Sequence, residues 1–244
     1  MDVPLFVTVT VVAGAALAPV ALGAVLRRAA GRVAPRAAVA VPVTLVLLTW
    51  LALTTVLSAA GTYLPREGEV VPVIGLAFLA VLGGAWLSVA FLPALRAVLS
   101  RPEAQAGLIA VQVWRVLGLN FLLLMAGGQL PALFALPAGL GDIAIGIAAP
   151  FVARRLHQPG GRSLAVAWNL LGFADLVMAV TLGSTTTQGV LQRFITTPAS
   201  ELLAAFPMAL VPTLLVPLSM ALHVVSLRYL LALRSREPGM VGAI

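Results

Sequence analysis

The chain contains no cysteine and no lysine, and only 9% of its 244 residues are charged. The missing cysteine excludes disulfides, thiolate metal sites and a cysteine nucleophile. The missing lysine excludes a retinal protein, because retinal is held as a Schiff base on a lysine amine. A soluble domain has about 25% charged residues, so this chain has too few polar side chains to cover a surface in water. These absences predict a protein that is solvated mostly by lipid.

Long apolar runs are the main feature that the sequence does contain. Hydrophobic residues make up 61% of the chain, and a membrane-spanning helix needs roughly 20 mainly apolar residues. Seven runs meet this length, at residues 3–26, 37–60, 70–94, 107–127, 131–153, 163–184 and 206–232. Backbone polar groups in lipid must be satisfied within the segment, and the runs lack the alternating polarity of barrel strands. We therefore predict an all-α polytopic membrane protein, one domain over residues 1–244 with about seven transmembrane helices.

The positions of the arginines predict how these helices are oriented. Arginine supplies every basic side chain behind the net charge of +7. Twelve arginines follow the odd-numbered runs: Arg27, Arg28, Arg32, Arg36, Arg96, Arg101, Arg154, Arg155, Arg162, Arg228, Arg234 and Arg236. The opposite loops hold only Arg66 and Arg193. Because arginine-rich loops stay in the cytoplasm, we predict an N-terminus outside and a C-terminus in the cytoplasm, in a plasma (inner) membrane. The arginines are expected to contact the lipid bilayer, not nucleic acid.

The two parts of the chain differ in polar content. Residues 1–106 hold three runs whose polar groups are mainly hydroxyls and tryptophans, and they predict a scaffold. Residues 107–235 hold four runs with a polar core, and residues 236–244 are expected to form a cytoplasmic tail. Each of the last four runs carries one ionisable residue well inside it: Arg115, Asp142, Asp175 and His223. An unpaired charge at that depth costs about 2.5–3.5 kcal/mol or more, so these side chains are expected to face the bundle interior.

Neighbouring residues support this inward direction. Asp142 shares a helical face with small residues that allow close helix packing, namely Ala135, Ala138, Gly139, Gly146 and Ala149. His223 has Ser219 at i−4 and Ser226 at i+3 on its own face. The predicted binding or proton-linked residues are Arg115, Asp142, Asp175, His223, Gln112, Asn120, Asn169, Trp114 and Trp168. Taken alone, the asparagines predict hydrogen bonds between helices, and the tryptophans predict packing contacts.

Charge counting predicts that the four ionisable residues titrate together. Arg115 is one permanent cation and faces two carboxylates, so neutrality needs one more proton, on a carboxylate or on His223. Such a site links proton binding to the state of the protein, and Arg115 either pairs with an acid or holds an anionic group. The alternative is purely structural, an Arg–Asp pair that joins two helices while the second aspartate bonds to asparagine or tryptophan. With one histidine in the spans and no cysteine, the sequence predicts no metal site and no cofactor.

The loop from residue 185 to 205 is unusually long for this chain. Its apolar residues Val190, Leu191, Phe194 and Ile195 suggest one side of a short interfacial helix. Thr197-Pro198 then resembles a helix start, because proline is favoured at the first helical position. Two interpretations follow, a lid over an outward-facing cavity and a hairpin that rests on the membrane surface.

One short motif resembles a catalytic family. Gly139-Leu140-Gly141-Asp142 resembles the GxGD motif of intramembrane aspartyl proteases such as presenilins and prepilin peptidases. The resemblance implies that Asp142 is the motif aspartate and Asp175 its partner. In that family, however, the other aspartate precedes GxGD, whereas Asp175 follows it here. The four final runs as a whole resemble bacterial inner-membrane proteins that carry no assigned function.

Three functions are compatible with this pattern. The leading hypothesis is a transporter or permease-like protein that moves a small molecule or an ion through a proton-titratable site near the bilayer midplane. The second is a seven-helix sensor or receptor for a small molecule. The third is a membrane-embedded enzyme of the GxGD type, although an enzyme is the less favoured class.

Overall fold

The computed structural model describes residues 3–31, 36–66 and 71–234. Within these residues every regular element is helical, and seven helices are long and apolar enough to cross a membrane. The prediction of an all-α polytopic membrane protein is therefore confirmed. The direction of insertion and the division at residue 106 stay predictions.

The helices follow one another along the chain, with a longer loop after α8. Their bounds are α1 Leu5–Ala30, α2 Arg36–Ala59, α3 Val73–Phe91, α4 Pro93–Leu99, α5 Pro102–Ala110, a 3₁₀ helix Val111–Gly118, α6 Leu119–Ala126, α7 Ala132–Arg155, α8 Gly161–Thr186, a short 3₁₀ helix Ser200–Ala204, a π-helix Val211–Leu215, and α9 Val216–Arg234. Proline opens α4 and α5 at their first positions, where its missing N–H has no intrahelical partner to lose.

The fourth span is not one continuous α-helix, although the run 107–127 predicts one. It consists of α5, the 3₁₀ helix Val111–Gly118 and α6. In a 3₁₀ helix, residues three apart lie in line along one face. Gln112, Arg115 and Gly118 have this spacing and are all buried. The change of helix type therefore aligns Gln112 and Arg115 toward the same interior space.

The seventh span begins irregularly. The run 206–232 predicts one helix, but residues 211–215 form a π-helix before α9 starts. Pro217 has no N–H, so the carbonyl of Thr213 lacks its α-helical donor. The indole Nε1 of Trp50 on α2 donates to that carbonyl oxygen at 2.8 Å. A tryptophan from another helix thus satisfies the backbone group that the proline leaves open.

The packing places α7 at the centre of the polar half. It contacts α5, the 3₁₀ helix Val111–Gly118, α6 and α8, while α9 packs on α8, α5 and α3. The small residues predicted to share the Asp142 face are all buried, as expected: Ala135, Ala138, Gly139, Gly146 and Ala149. A Cβ added at Gly146 would lie 2.7 Å from the backbone nitrogen of Val116. The two backbones are therefore close enough for Arg115 to reach α7 directly.

Candidate functional site

Arg115 lies at the centre of a buried cluster drawn from four spans. Its side chain is 2% exposed, and three of its nitrogens donate hydrogen bonds. Nε donates to Oδ1 of Asp142 on α7 at 2.7 Å, and Nη2 donates to Oδ2 of Asp175 on α8. Nη1 donates to the carbonyl of Gly172 at 3.1 Å and to Nε2 of His223 on α9 at 3.1 Å. The four ionisable residues singled out in the sequence therefore meet at one point.

The hydrogen bonds assign the tautomer of His223. A guanidinium only donates, so Nε2 of His223 accepts from Arg115 and the ring proton lies on Nδ1. Nδ1 then donates to Oδ1 of Asn169 at 3.0 Å. The amide of Asn169 in turn donates to the carbonyl of Ala165 at 2.8 Å and to Oγ of Ser226 at 3.2 Å. In this arrangement His223 is neutral, so it does not supply the extra positive charge that the sequence left open.

The cluster has one negative charge in excess when both aspartates are ionised. Arg115 contributes one positive charge, Asp142 and Asp175 contribute one negative charge each, and His223 contributes none. Neutrality therefore needs one proton or one bound cation. The two carboxylates bond to different nitrogens of Arg115, and within the described residues no hydrogen bond joins them. This differs from a protease dyad, whose two carboxyls share a proton directly.

Glycines make the space that the cluster occupies. A Cβ added at Gly141 would lie 1.8 Å from Oδ1 of Asp175, and one added at Gly172 would lie 2.4 Å from Cε1 of His223. With any larger residue at Gly141 or Gly172, the Asp175 carboxylate or the His223 ring would no longer fit in its present place. Gly141 belongs to the GxGD-like segment, so that pattern has a packing explanation here: it lets α8 bring Asp175 against α7.

The remaining predicted site residues divide into two groups. Trp168 lies against His223 with ring centroids 4.9 Å apart, and its Nε1 donates to the carbonyl of Ile145 at 3.1 Å. Trp114 and Gln112 both bond to Ser219 of α9. The indole Nε1 of Trp114 donates to the hydroxyl Oγ at 2.9 Å, and Nε2 of Gln112 donates to the carbonyl oxygen at 3.2 Å. These residues hold the cluster's helices together.

Asn120 is not part of the cluster. Its Oδ1 accepts from Oγ1 of Thr10 on α1 at 3.1 Å, which is the interhelical hydrogen bond that an isolated asparagine predicts. A polar residue missed by sequence reasoning is Thr213, whose hydroxyl accepts from Thr54 at 2.8 Å. Hydroxyl residues are common throughout the spans, so nothing in the sequence distinguished it.

A cavity of about 390 Å³ leads from one end of the bundle to the cluster. Its wall includes residues of α3, α6, α7 and α8 together with the loop that follows α8. Asp142 is the charged side chain among the described residues of this wall. A second cavity of about 30 Å³ lies between Arg115, Asp142, Trp114 and Ser219, which is enough volume for a water molecule. The cluster therefore borders solvent-sized space rather than a fully dry interface.

The long loop after α8 forms part of the cavity wall, but it is not helical at the residues where the sequence predicts a helix. Residues 190–195 form no helix, and the short 3₁₀ helix begins at Ser200, not at Pro198. The prediction of a helix over these residues is therefore wrong. The carbonyl of Thr185 explains the local path, because it accepts from the backbone nitrogens of both Arg193 and Phe194 and turns the chain back on α8. Val190 and Leu191 nevertheless line the cavity.

Within the described residues, no group of three histidine or acidic side chains is arranged to hold a metal ion. Comparison with known proteins gives one match. A family model described as "Domain of unknown function (DUF8737)" matches residues 71–231. No curated protein and no solved structure matches the chain. The matched range begins just before α3 and includes every residue of the cluster.

Proposed function

The chain belongs to the DUF8737 family, and we propose that it is a transporter of the permease type that couples movement of a small solute to protonation of the Arg115 cluster. The observation that carries this proposal is the double position of Asp142. Asp142 is part of the cavity wall, and its Oδ1 accepts a hydrogen bond from Arg115. A solute that reaches the end of the cavity therefore contacts a group whose charge depends on a proton.

The irregular helices suggest where the protein changes shape. The 3₁₀ helix that carries Arg115 interrupts the fourth span, and the π-helix Val211–Leu215 precedes α9, which carries His223. Both irregular helices contribute residues to the small cavity beside the cluster. Mid-helix 3₁₀ segments often act as hinges, and π-bulges are frequent at functional sites. A change of helix type in either segment would move one cluster residue relative to the others. This movement would open the cluster toward the arginine-rich end of the bundle, opposite the large cavity.

A small-molecule sensor is the second candidate, and one observation favours it. Among the described residues, Asp142 lies in the cavity wall where the large cavity meets the cluster. On the other side of the cluster, toward the arginine-rich end of the bundle, residues such as Asn169 and Ser226 are buried. A one-sided pocket of this kind suits a receptor as well as one state of a transporter. The GxGD-type enzyme has less support, because Arg115 separates the two carboxylates.

Cysteine labelling distinguishes these functions cleanly, because the chain has no cysteine of its own. Ser184→Cys places a thiol in the cavity wall. Ser226→Cys places one beyond His223, at a position that is 1% exposed. Ala15→Cys on α1, which is 0% exposed, is the matched control for general loosening of the bundle. Each variant is reconstituted in vesicles and treated with a membrane-impermeant thiol reagent on either face.

A transporter is expected to allow labelling of Ser184→Cys from the cavity face and of Ser226→Cys from the arginine-rich face, with Ala15→Cys unlabelled. The balance between the first two is expected to shift with pH. If Ser226→Cys stays unlabelled at every pH while Ser184→Cys reacts, the cavity has one entrance only. That result would reject transport and favour the sensor.

A further inference from the structure

We infer that the ligand of the large cavity is an amphiphilic monocation, an apolar molecule with an amine, quaternary ammonium or similar positive group. Its charge would lie against Asp142 and its apolar part would fill the cavity toward the loop after α8. This inference rests on the proposed function and names the substrate class of the same site.

The charge of the cluster selects the sign of the ligand. With His223 neutral, the two aspartates exceed Arg115 by one negative charge, and one proton or one cation restores balance. Oδ1 of Asp142 is bonded to Arg115, while Oδ2 makes no hydrogen bond among the described residues. A cation in the cavity therefore meets a carboxylate oxygen that still has free acceptor capacity.

An anionic ligand is not favoured by the same geometry. Three nitrogens of Arg115 already donate to the two carboxylates, to Gly172 and to His223. Arg115 borders the small cavity but is not part of the wall of the large one. An anion in the large cavity would therefore meet Asp142 before it met a positive charge.

The groups that face Asp142 from each neighbouring helix leave this balance unchanged. Arg115 on the 3₁₀ helix bonds Asp142 directly, and Asp175 on α8 and neutral His223 on α9 bond the same Arg115. No titratable residue occurs in α6, and Glu103, at the start of α5, is paired with Arg101 at 3.2 Å. Tyr63 lines the cavity, but its hydroxyl bonds to Thr54 at 2.8 Å. No second cation therefore reaches Asp142 from the described residues.

The cavity wall fits the apolar part of such a ligand. Asp142 is its charged residue, and aromatic rings contribute to it: Tyr63, Phe78, Phe121 and Phe134. Phe121 and Phe134 contact each other edge to face, with ring centroids 5.1 Å apart. Aromatic faces also attract cations. A volume of about 390 Å³ lies in the range of sites for drug-sized molecules, about 300–1,000 Å³.

The position of the cavity allows entry from the bilayer. Leu76 and Leu79 of α3 line it and are 54% and 59% exposed. Because α3 is a membrane-spanning segment, we place this edge of the cavity at the lipid boundary. α8 forms another part of the wall, yet α3 packs mainly on α9 and on the π-helix. The wall between α3 and α8 is therefore open to a molecule that is already dissolved in the membrane.

The ligand and the proton are expected to exclude each other. A proton on Asp142 or Asp175 makes the cluster neutral and removes the attraction for a cation, while a bound cation disfavours the proton. One cation entering therefore displaces one proton, which is the stoichiometry of exchange in opposite directions.

The test uses two probes of closely similar size and shape but opposite charge, tetraphenylphosphonium and tetraphenylborate. Their binding to the full chain in lipid nanodiscs is measured across a pH series, with empty nanodiscs subtracted. Tetraphenylphosphonium is expected to bind more tightly than tetraphenylborate. Its affinity is expected to fall about tenfold for each unit by which the pH is lowered, in the pH range where the cluster takes up its proton.

Variants assign the binding to the cluster. Asp142→Asn and Asp175→Asn each leave a neutral Arg–Asp pair, so each is expected to remain folded and to bind tetraphenylphosphonium at least about tenfold more weakly. Glu103→Gln removes a carboxylate outside the cluster and is expected to leave binding unchanged. Gel-filtration profiles of the purified variants establish that they are folded.

Three results would overturn the inference: no binding of tetraphenylphosphonium, equal or tighter binding of tetraphenylborate, or cation binding that is unaffected by either aspartate variant. Any of these together with two-sided cysteine labelling would leave a transporter with a different substrate class. Aspartate-dependent cation binding together with one-sided labelling would instead leave a sensor of amphiphilic cations.

Discussion

Nη1 of Arg115 donates a hydrogen bond to Nε2 of His223, 3.1 Å away, across two membrane-spanning segments that are far apart in sequence. This contact makes His223 an acceptor and a neutral residue, and its Nδ1 continues the chain to Asn169. The histidine therefore acts as a connector between a permanent cation and an amide, without adding charge to the cluster.

This role predicts a graded response to substitution of His223. His223→Leu removes both bonds and leaves a buried guanidinium N–H and the Asn169 oxygen without partners, so stability should fall by about 1–3 kcal/mol. His223→Gln keeps one acceptor and one donor and should lose less. Thermal unfolding of the purified variants in one detergent measures the order. Equal losses for Leu and Gln would show that ring packing against Trp168 dominates instead.

The charge balance predicts that the two aspartates are not independent. Asp142→Asn and Asp175→Asn each leave one ion pair, whereas the double variant leaves a buried, unpaired Arg115. The double variant should therefore be destabilised by about 3–5 kcal/mol, more than the sum of the two single effects. Thermal unfolding of the four proteins gives this coupling.

A triple variant serves as the control for that cycle. Adding Arg115→Met to the two Asn substitutions removes the unpaired charge and should recover much of the stability. Additive single effects, with no recovery on loss of Arg115, would contradict the charge count.

The glycines around the cluster predict a sharp positional contrast. Gly172→Ala places a methyl group 2.4 Å from Cε1 of the His223 ring and should cost about 1–3 kcal/mol, the range for an overpacked core. Gly84→Ala on α3 has no heavy atom within 4 Å of its added Cβ. It should be neutral or stabilising by up to about 1 kcal/mol, because alanine favours the helix. Unfolding temperatures of the two variants in the same detergent provide the comparison, and equal effects would argue against a tightly fitted His223.

The Trp50–Thr213 contact predicts energetic coupling between Trp50 and Pro217. Trp50→Phe should destabilise the wild-type chain by about 1–2 kcal/mol, because the Thr213 carbonyl loses its donor. Pro217→Ala supplies a backbone N–H that is able to bond to the same carbonyl. Trp50→Phe should therefore cost less in the Pro217→Ala background, and a double-mutant cycle of unfolding temperatures measures the difference. If Trp50→Phe lowers stability equally in the wild-type chain and in Pro217→Ala, the bond from Trp50 does not stand in for the backbone hydrogen bond that Pro217 cannot make.

Several features of this protein are determined by local sequence alone. The number of spans follows from apolar length, because each crossing needs a continuous helix that satisfies its own backbone. The inward position of Arg115, Asp142, Asp175 and His223 follows from the cost of charge in lipid. The close approach of α7 to its neighbours follows from its row of alanines and glycines, which leaves no side chain to hold the helices apart.

Other features depend on contacts between distant segments. Asp142 and Asp175 have the same local appearance whether they meet one arginine or two different partners, because no pattern along a helix encodes which helix lies beside it. The 3₁₀ helix around Arg115 and the position of Asn120 against Thr10 are decided in the same way, by what packs on each face. The sequence thus determined that buried charges exist and must be paired. The tertiary structure decided that they share one guanidinium, leave one charge in excess, and border a cavity, because pairing and cavity volume are properties of several helices together.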